Sequence, residues 1–489
     1  MHGSVIRSLL FLTAICGIYS LGQSPTHSEF DRAKWLQDFE QLLSEMDAHY
    51  ANLEWAVQER HMNLPLLRQK TEEKLNAATD EREAQRAFDQ FVDGFGDGHF
   101  QIRWSKSDDH PLSPDQLRQH SLCTDMGYKT RVQMSPGLEF PFMDGFTASS
   151  DLDAHDFPGG FLDIDGTRLG IMRIALFDER DHPTACESAL KQLGISPSQE
   201  CDGQCENSIE RTAASILAKA VARRADQLRH TGATALLVDI THNGGGSDWV
   251  ELPPRILSPV PLQEPRIAFI RHEHWIPQLE DRLADIQTDI RNKREPMEVL
   301  QEARNRLLRG IAETKERCDR SSLWTTGKIN CSLLIKDVLY TGGLLPYAKS
   351  GSFPTLESRS SLFDPLRYSY TEGGNTLPLF VVVDRETWSA AEYFAAILQD
   401  NHAAVIVGEV TGGAGCGYTN GGIPTTLKYS HAQVKMPDCV RLRKDGSNEV
   451  NGVVPDILLP WTDHDTPYSK VTKLVDRLKP LLISARTKN

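Results

Sequence analysis

Two apolar runs separated by a helix-forming segment most constrain how this chain folds. The first run, 379–383, leads into Ser389, and the second, 404–408, ends in a glycine-rich loop. A strand, a serine, a helix, a strand and a loop in this order expose a nucleophile in many α/β enzymes, because N–H groups at a helix N-terminus stabilise developing negative charge. The stretch 378–417 therefore predicts an α/β sheet with Ser389 as a candidate nucleophile.

Ser389 also fits a purely structural interpretation. Ser389 and Glu392 have the S-x-x-E spacing of a capping box, in which both side chains bind backbone N–H groups at the helix end. Local sequence alone favours this capping role. The nucleophile hypothesis gains support from three adjacent glycines at 244–246, from the glycine-flanked His99, and from the acidic Glu449 in a loop.

The composition argues against several functional classes. With 53 Lys and Arg against 67 Asp and Glu, the net charge of −14 disfavours nucleic acid as a partner. After the N-terminus no apolar run approaches the about 18 residues that a membrane helix needs. Neither a P-loop nor a dinucleotide-binding fingerprint is present. We expect no nucleic-acid partner, no membrane span, no metal and no cofactor, and the sequence leaves the oligomeric state open.

The N-terminus predicts export. Arg7 precedes the apolar run 9–18, and small residues follow, which is the order of a secretory signal. We expect a signal peptide at 1–22 and a secreted protein, either periplasmic or extracellular. A core helix of a cytosolic domain is the alternative interpretation.

The cysteine content is consistent with export. Nine cysteines are present, and eight remain once Cys16 is removed with the signal. An even number in an exported chain favours disulfides over metal binding. The sequence does not fix the pairing. Our hypothesis pairs sequential neighbours, and Cys416 with Cys439 would then brace the loop after Ser389.

Apolar periodicity outlines the domain organisation. Spacings of three and four residues between Ile276 and Ile311, interrupted at Pro296, predict an inserted helical hairpin. Its expected role is structural or that of a lid, with a partner-binding arm as the alternative, and about 50 irregular residues should follow it. The expected regions are an N-terminal helical domain at 28–90, a catalytic α/β core at 91–262 and 370–465, the hairpin with a disulfide-bearing loop at 270–345, and a C-terminal helix at 466–489.

Six short segments, in the expected order, resemble the C-terminal processing (tail-specific) serine peptidases and their tricorn-core and interphotoreceptor-retinoid-binding-protein relatives. The segments are 97–100, 169–174, 238–246, 383–392, 407–415 and 452–457. The resemblance implies a ClpP/crotonase-like α/β core built from αββ units, and an exported serine peptidase that acts on peptides or proteins. The interval 105–168 is shorter than the PDZ domain usual in the family, so we expect none.

The resemblance also implies a particular set of catalytic residues. Ala414 stands where the larger branch has its lysine base, and alanine cannot accept a proton. The tricorn-like branch uses serine, histidine and glutamate instead, and Ser389, His99 and Glu449 fall at those positions. The branch's further serine, beside the histidine, is replaced by Gly98. The expected roles are nucleophile for Ser389, general base for His99 and orienting acid for Glu449.

The remaining site predictions concern the oxyanion hole and the substrate. The N–H groups of Gly245 and Ala390 are the expected oxyanion donors. The expected substrate-binding residues are Gly244, Gly246, Trp388, Gly412 and Gly413. Gly98 and the large Trp388 indole also motivate an alternative, a non-catalytic protein that binds a peptide or a hydrophobic ligand. Hydrolysis of esters is a third hypothesis.

Overall fold

The computed structural model describes residues 30–104, 121–129, 137–150, 153, 155–316, 318, 320, 322–418 and 425–486. The predicted signal peptide, 1–22, lies outside these residues. The helices are α1 Arg32–His49, α2 Leu53–Gln58, α3 Leu64–Ala77, α4 Glu81–Asp93, α5 Leu122–Asp125, α6 Pro183–Leu193, α7 Gly203–His230, α8 Leu252–Leu257, α9 Ile276–Arg291, α10 Met297–Thr314, α11 Leu323–Thr326, α12 Arg359–Leu362, α13 Ala390–Asp400 and α14 Pro467–Arg486. The strands are β1 Gln101–Arg103, β2 Phe146–Ala148, β3 Gly159–Ile164, β4 Thr167–Arg173, β5 Ala235–Asp239, β6 Arg266–Ile270, β7 Leu334–Tyr340, β8 Leu379–Val383, β9 Val405–Gly408, β10 Thr425–Thr426, β11 Gln433–Lys435, β12 Cys439–Leu442 and β13 Ile457–Leu458.

A seven-stranded mixed sheet with the order β13-β9-β8-β5-β4-β3-β2 carries the centre of the fold. The strands from β13 to β4 pair in parallel, whereas β3 and β2 are antiparallel. Every residue of β5 and β8 is buried. This explains their unbroken apolar sequences, because helices cover both faces of a parallel sheet. The α/β class predicted from the sequence is confirmed.

The two faces of this sheet pack against different helices. On one face Val238, Val381 and Val383 pack among α7, α8 and α13. On the other face Leu237 and Val382 pack against the apolar side of α14. A five-residue turn, 384–388, joins β8 to Ser389, and α13 begins at the next residue, so the buried strand and the buried helix together position this serine.

A second, three-stranded sheet of order β12-β6-β7 corrects the predicted architecture. The hairpin of α9 and α10 is present, but β6 precedes it and β7 follows it, where the sequence predicts irregular residues. The two middle residues of β7, Lys336 and Asp337, are exposed and break its apolar pattern, which hides the strand from sequence analysis. Helices α1 to α4 occupy the predicted N-terminal helical region, and the domain boundaries themselves stay predictions.

Four disulfides join sequential cysteines, as the pairing hypothesis states. They are Cys123–Cys186, Cys201–Cys205, Cys318–Cys331 and Cys416–Cys439. The last one links the glycine-rich loop after Ser389 to β12 and thus to the second sheet. Within the described residues, no helix has the length and apolar content needed to span a membrane.

Candidate active site

Ser389 lies at a strained turn between β8 and α13. Its backbone has φ 56° and ψ −118°, a conformation that costs a non-glycine residue about 1–3 kcal/mol. The preceding turn holds this geometry, since Asp384 Oδ1 accepts hydrogen bonds from Thr387 Oγ1 at 3.1 Å and from the His242 N–H at 2.9 Å. Strained backbone of this kind is concentrated at functional sites, where the surrounding structure maintains it.

His99 contacts Ser389 in a geometry suited to proton transfer. His99 Nε2 lies 3.0 Å from Ser389 Oγ, and His99 Nδ1 lies 2.7 Å from the Ala414 carbonyl oxygen. A carbonyl oxygen only accepts, so the neutral imidazole carries its hydrogen on Nδ1 and leaves Nε2 free to accept the serine hydroxyl hydrogen. Burial lowers the pKa of His99 below its ordinary 6.5.

The N-terminal helices help to hold His99 in place. Asp97 Oδ1 accepts the His99 backbone N–H at 2.9 Å, and its Oδ2 accepts from Tyr50 Oη at 3.0 Å and Asn52 Nδ2 at 2.7 Å. Burial raises the pKa of Asp97 to about 6. On the other side, the Tyr418 hydroxyl donates to the His99 carbonyl oxygen. The glycine-rich turn around the histidine is therefore clamped by a buried carboxyl group that sequence analysis did not single out.

Glu449 is buried beside the site but does not contact the imidazole. Its Oε1 accepts from Arg441 Nη1 at 2.5 Å, and its buried Oε2 has no hydrogen-bond partner among the described residues. Burial raises the pKa of Glu449 to about 7. The Ala414 carbonyl occupies the Nδ1 position where the resemblance places the triad acid. The structure thus corrects the expected direct contact, and the catalytic role of Glu449 stays a prediction.

The predicted oxyanion donors lie next to Ser389 but differ in their availability. Gly245 packs so closely that a Cβ there would lie 2.7 Å from Ser389 Cβ and 2.9 Å from the Ala390 nitrogen. The Gly245 N–H, however, donates to Asn243 Oδ1 at 2.9 Å. It is therefore not directed at a substrate oxygen in this structure. Sequence analysis missed Asn243, which is fully buried. In addition to the side-chain contact with Gly245, the backbone carbonyl oxygen of Asn243 accepts the Trp388 N–H at 2.9 Å.

A cavity of about 560 Å³ opens over Ser389 and His99. Gly244 and Gly246 line it, as predicted for substrate-binding residues. Tyr340 of the second sheet, Trp275 just before α9, and Gln278 and Arg282 of α9 supply part of its wall, and acidic side chains line it as well. These acidic residues are Asp248, Glu251 and Asp364. The inserted region thus forms part of the candidate site.

Trp388, Gly412 and Gly413 are not among the residues that line this cavity. The Trp388 ring lies between two glycines instead, because a Cβ on Gly98 would come within 2.2 Å of it and one on Gly412 within 2.4 Å. The Gly413 N–H donates to Glu392 Oε1 at 2.8 Å. The predicted substrate contacts of these three residues therefore find no support in this cavity and stay predictions. This packing also explains why residue 98, next to His99, is a glycine, because the Trp388 indole occupies the space that a side chain on residue 98 would need.

Replacing Gly98 with serine is expected to lower the free energy of unfolding by about 1–3 kcal/mol, because the new side chain overlaps the Trp388 ring. In a Trp388→Ala background the same change should cost less than about 1 kcal/mol, since the overlapping ring is gone. Urea unfolding of the four proteins in this double-mutant cycle measures both values. Equal costs in the two backgrounds contradict the close packing of Gly98 on the indole.

Glu392 connects the serine to the glycine-rich loop. Its fully buried carboxylate accepts from the Ser389 N–H at 2.9 Å, from Thr411 Oγ1 at 2.6 Å, and from the N–H groups of Gly413 and Ala414 at 2.8 Å each. The contact with the Ser389 N–H is the one expected from the capping-box spacing. The other three contacts extend beyond the helix. They fix the loop whose Ala414 carbonyl orients His99.

Comparisons with known proteins agree with this fold. Residues 327–459 match the sequence model of peptidase family S41. A Chlamydia pneumoniae protein is 27% identical over 272 residues, which are 52% of this chain and 38% of that protein. A Chlamydia trachomatis protein is 31% identical over 106 residues, or 22% of this chain and 17% of its own length. The chain thus matches less than half of the length of each of these relatives.

A solved structure resembles nearly the whole chain. The structure of mature CPAF complexed with lactacystin superimposes with a TM-score of 0.55 and 16% identity, covering 94% of this chain and 99% of that one. Identity this low shows a shared fold and nothing more. The comparison therefore supports the architecture, while the roles of individual residues depend on the contacts given above.

Proposed function

We propose that this chain, whose residues 327–459 match the model of peptidase family S41, is an exported serine peptidase of that family that cleaves peptide bonds in peptides or proteins. The 3.0 Å contact between His99 Nε2 and Ser389 Oγ carries this proposal. Hydroxyl and imidazole are within hydrogen-bond distance at the wall of a cavity of about 560 Å³.

In the proposed reaction, Ser389 Oγ attacks a peptide carbonyl while its proton passes to His99 Nε2. The resulting imidazolium keeps its Nδ1–H on the Ala414 carbonyl and returns the Nε2 proton to the leaving amine. The Ala390 N–H, at the first residue of α13, is the proposed donor to the oxyanion. The Gly245 N–H is the proposed second donor and must first leave Asn243 Oδ1.

Glu449 is proposed as the acidic member of the site, acting through Arg441. The Arg441 charge lowers the pKa of His99 and so opposes formation of the imidazolium. The Glu449 carboxylate pairs with Arg441 at 2.5 Å and offsets that charge. Glu449 would thus stabilise the protonated histidine without contacting it. Because burial raises the pKa of Glu449 to about 7, this auxiliary contribution declines below neutral pH, while neutral His99 remains available as the base.

The alternative of a non-catalytic binding protein was motivated by Gly98 and Trp388. Because the indole packs against Gly98 and Gly412 and is not among the cavity-lining residues, it gives no reason to expect an obstructed site.

Four disulfides support the exported location, since such bonds persist in oxidising compartments.

Incubation with a broad peptide library, read out by mass spectrometry, tests the proposal. A parallel panel of esters and labelling with a fluorophosphonate probe separate the three hypotheses. We expect cleaved peptides together with labelling at Ser389. Labelling with ester turnover but no peptide cleavage would favour an esterase, and a retained ligand with neither labelling nor turnover would favour a binding protein.

The acidic limb of the pH profile is expected to lie below pH 6.5. The reaction needs neutral His99, and burial lowers the pKa of this group below 6.5, so the base stays available as the pH falls past the ordinary histidine value. Activity should then be lost as the pH passes through the lowered pKa. Measuring kcat/KM for a peptide between pH 4 and 8 checks this expectation. A half-maximal point above pH 6.5 would contradict it.

A further inference from the structure

Three histidines meet at a point that the proposed reaction does not use. His49 ends α1, while His272 and His274 follow β6. The ring centroids are 4.8 Å apart for His49 and His272, 5.2 Å for His49 and His274, and 5.0 Å for His272 and His274. One ring nitrogen from each lies within 4.8 Å of the others. We refer to these residues as the histidine cluster.

The ring nitrogens of the histidine cluster face one another. His272 Nδ1 and His274 Nδ1 are 2.8 Å apart, and His272 Nδ1 also accepts the His274 backbone N–H at 3.3 Å. Two imidazole ligands of a tetrahedral zinc ion hold their nitrogens about 3.3 Å apart, as zinc–nitrogen distances of about 2.0–2.1 Å require. A small rotation of the rings would therefore direct both lone pairs at one ion.

Two carboxylates complete the surroundings of the histidine cluster. Asp438 Oδ2 lies 3.3 Å from His274 Nε2, so it can accept the Nε2 hydrogen and leave Nδ1 unprotonated towards the cluster. Glu45 Oε2 lies 3.1 Å from His49 Nδ1 and adds negative charge beside the cluster. Arg320 lies near His272 and opposes a cation, but the two carboxylates offset its charge.

The histidine cluster is also accessible to an ion. All three residues are partly exposed, which leaves a path for an ion to enter.

We propose that His49, His272 and His274 bind a divalent transition-metal ion, zinc in the first instance. Three imidazoles, with a water molecule in the fourth position, form a donor set that zinc accepts in tetrahedral geometry. The ion would cross-link α1 to the segment between β6 and α9. The sequence predicts no metal site, because the ligands come from distant parts of the chain and only His272 and His274 are close in sequence.

The position of the histidine cluster connects it to the second sheet. Asp438 directly precedes β12, which carries Cys439 of the disulfide to Cys416 and Arg441 of the pair with Glu449. The ion would thus stabilise the junction between the N-terminal helices and the sheet that forms part of the cavity wall. This inference is independent of the proposed peptidase activity.

Zinc binding to the full-length protein, produced without a histidine tag, tests the site. Competition with a chromophoric chelator gives the affinity and stoichiometry for the wild type and for the His272→Asn and His274→Asn variants. The matched control is His464→Asn, which removes an exposed histidine outside the cluster. Thermal unfolding with and without zinc, and the visible spectrum of the cobalt-loaded protein, provide readouts besides affinity.

We expect one zinc ion per chain in the wild type and in His464→Asn, and at least a tenfold weaker affinity in both cluster variants. Zinc should raise the unfolding temperature of the wild type and of His464→Asn, but not of the two cluster variants. Cobalt should give the wild type the intense visible absorption bands of a four-coordinate site. X-ray absorption of the zinc-loaded wild type should count three imidazoles, which keeps the test valid if a variant does not fold. No zinc binding, an affinity unchanged in the cluster variants, or fewer than three imidazoles would overturn the proposal.

Discussion

Replacing Ser389 with alanine is expected to lower kcat/KM for peptide cleavage by at least about a thousandfold. The hydroxyl is the proposed nucleophile, and alanine leaves no atom that can form the acyl-enzyme bond. The substitution removes the hydroxyl that lies 3.0 Å from His99 Nε2. It keeps the Ser389 backbone N–H, which donates to Glu392, so the variant should fold. The measurement is the rate of cleavage of a peptide identified in the library, for wild type and variant.

The matched control for this substitution is Ser196→Ala, at an exposed serine in the connection after α6. It should keep the wild-type rate. Thermal unfolding shows whether the Ser389 variant is folded, and fluorophosphonate labelling should disappear in that variant alone. Cleavage at an undiminished rate by a folded Ser389→Ala protein would rule out the proposed nucleophile.

Replacing Glu392 with glutamine is expected to lower the free energy of unfolding by about 3 kcal/mol and to reduce peptide cleavage together with it. The buried carboxylate accepts hydrogen bonds from the side chain of Thr411 and from three backbone N–H groups. A glutamine amide offers one oxygen and turns its NH₂ group towards donors, so buried N–H groups lose their acceptor. Urea unfolding measures the stability, and kcat/KM measures the effect on His99 through the displaced Ala414 carbonyl.

Glu280→Gln on α9 is the matched control for the Glu392 substitution, because Glu280 is exposed. A surface exchange of this kind should stay within about 0.5 kcal/mol of the wild type. If the two glutamine variants are equally stable, the carboxylate of Glu392 does not hold the loop. A stable Glu392 variant with full activity would likewise contradict its positioning role.

Several features of the fold could be predicted because they are encoded locally. The unbroken apolar runs of β5 and β8 predict buried parallel strands, and helical spacing predicts α9 and α10. The strand β7 escaped prediction because two adjacent exposed residues interrupt its pattern.

The candidate site was predictable only where residue type and motif order determine it. The sequence identified Ser389, His99 and Ala414, since motif order and residue chemistry are visible in one dimension. It did not show that the Ala414 carbonyl, rather than Glu449, is the hydrogen-bond partner of His99 Nδ1. It also did not show that the Trp388 ring packs between Gly98 and Gly412.

By itself, the sequence determined the α/β class, the turn that presents Ser389 and the absence of a lysine base at Ala414. These features depend on residue type and on the spacing of residues that are close in sequence. The tertiary structure alone decided which groups surround Ser389 and His99, how Glu392 fixes the loop, and that His49 meets His272 and His274. The physical reason is that side-chain direction is set by packing between remote segments, and no local pattern specifies which remote segment will pack there.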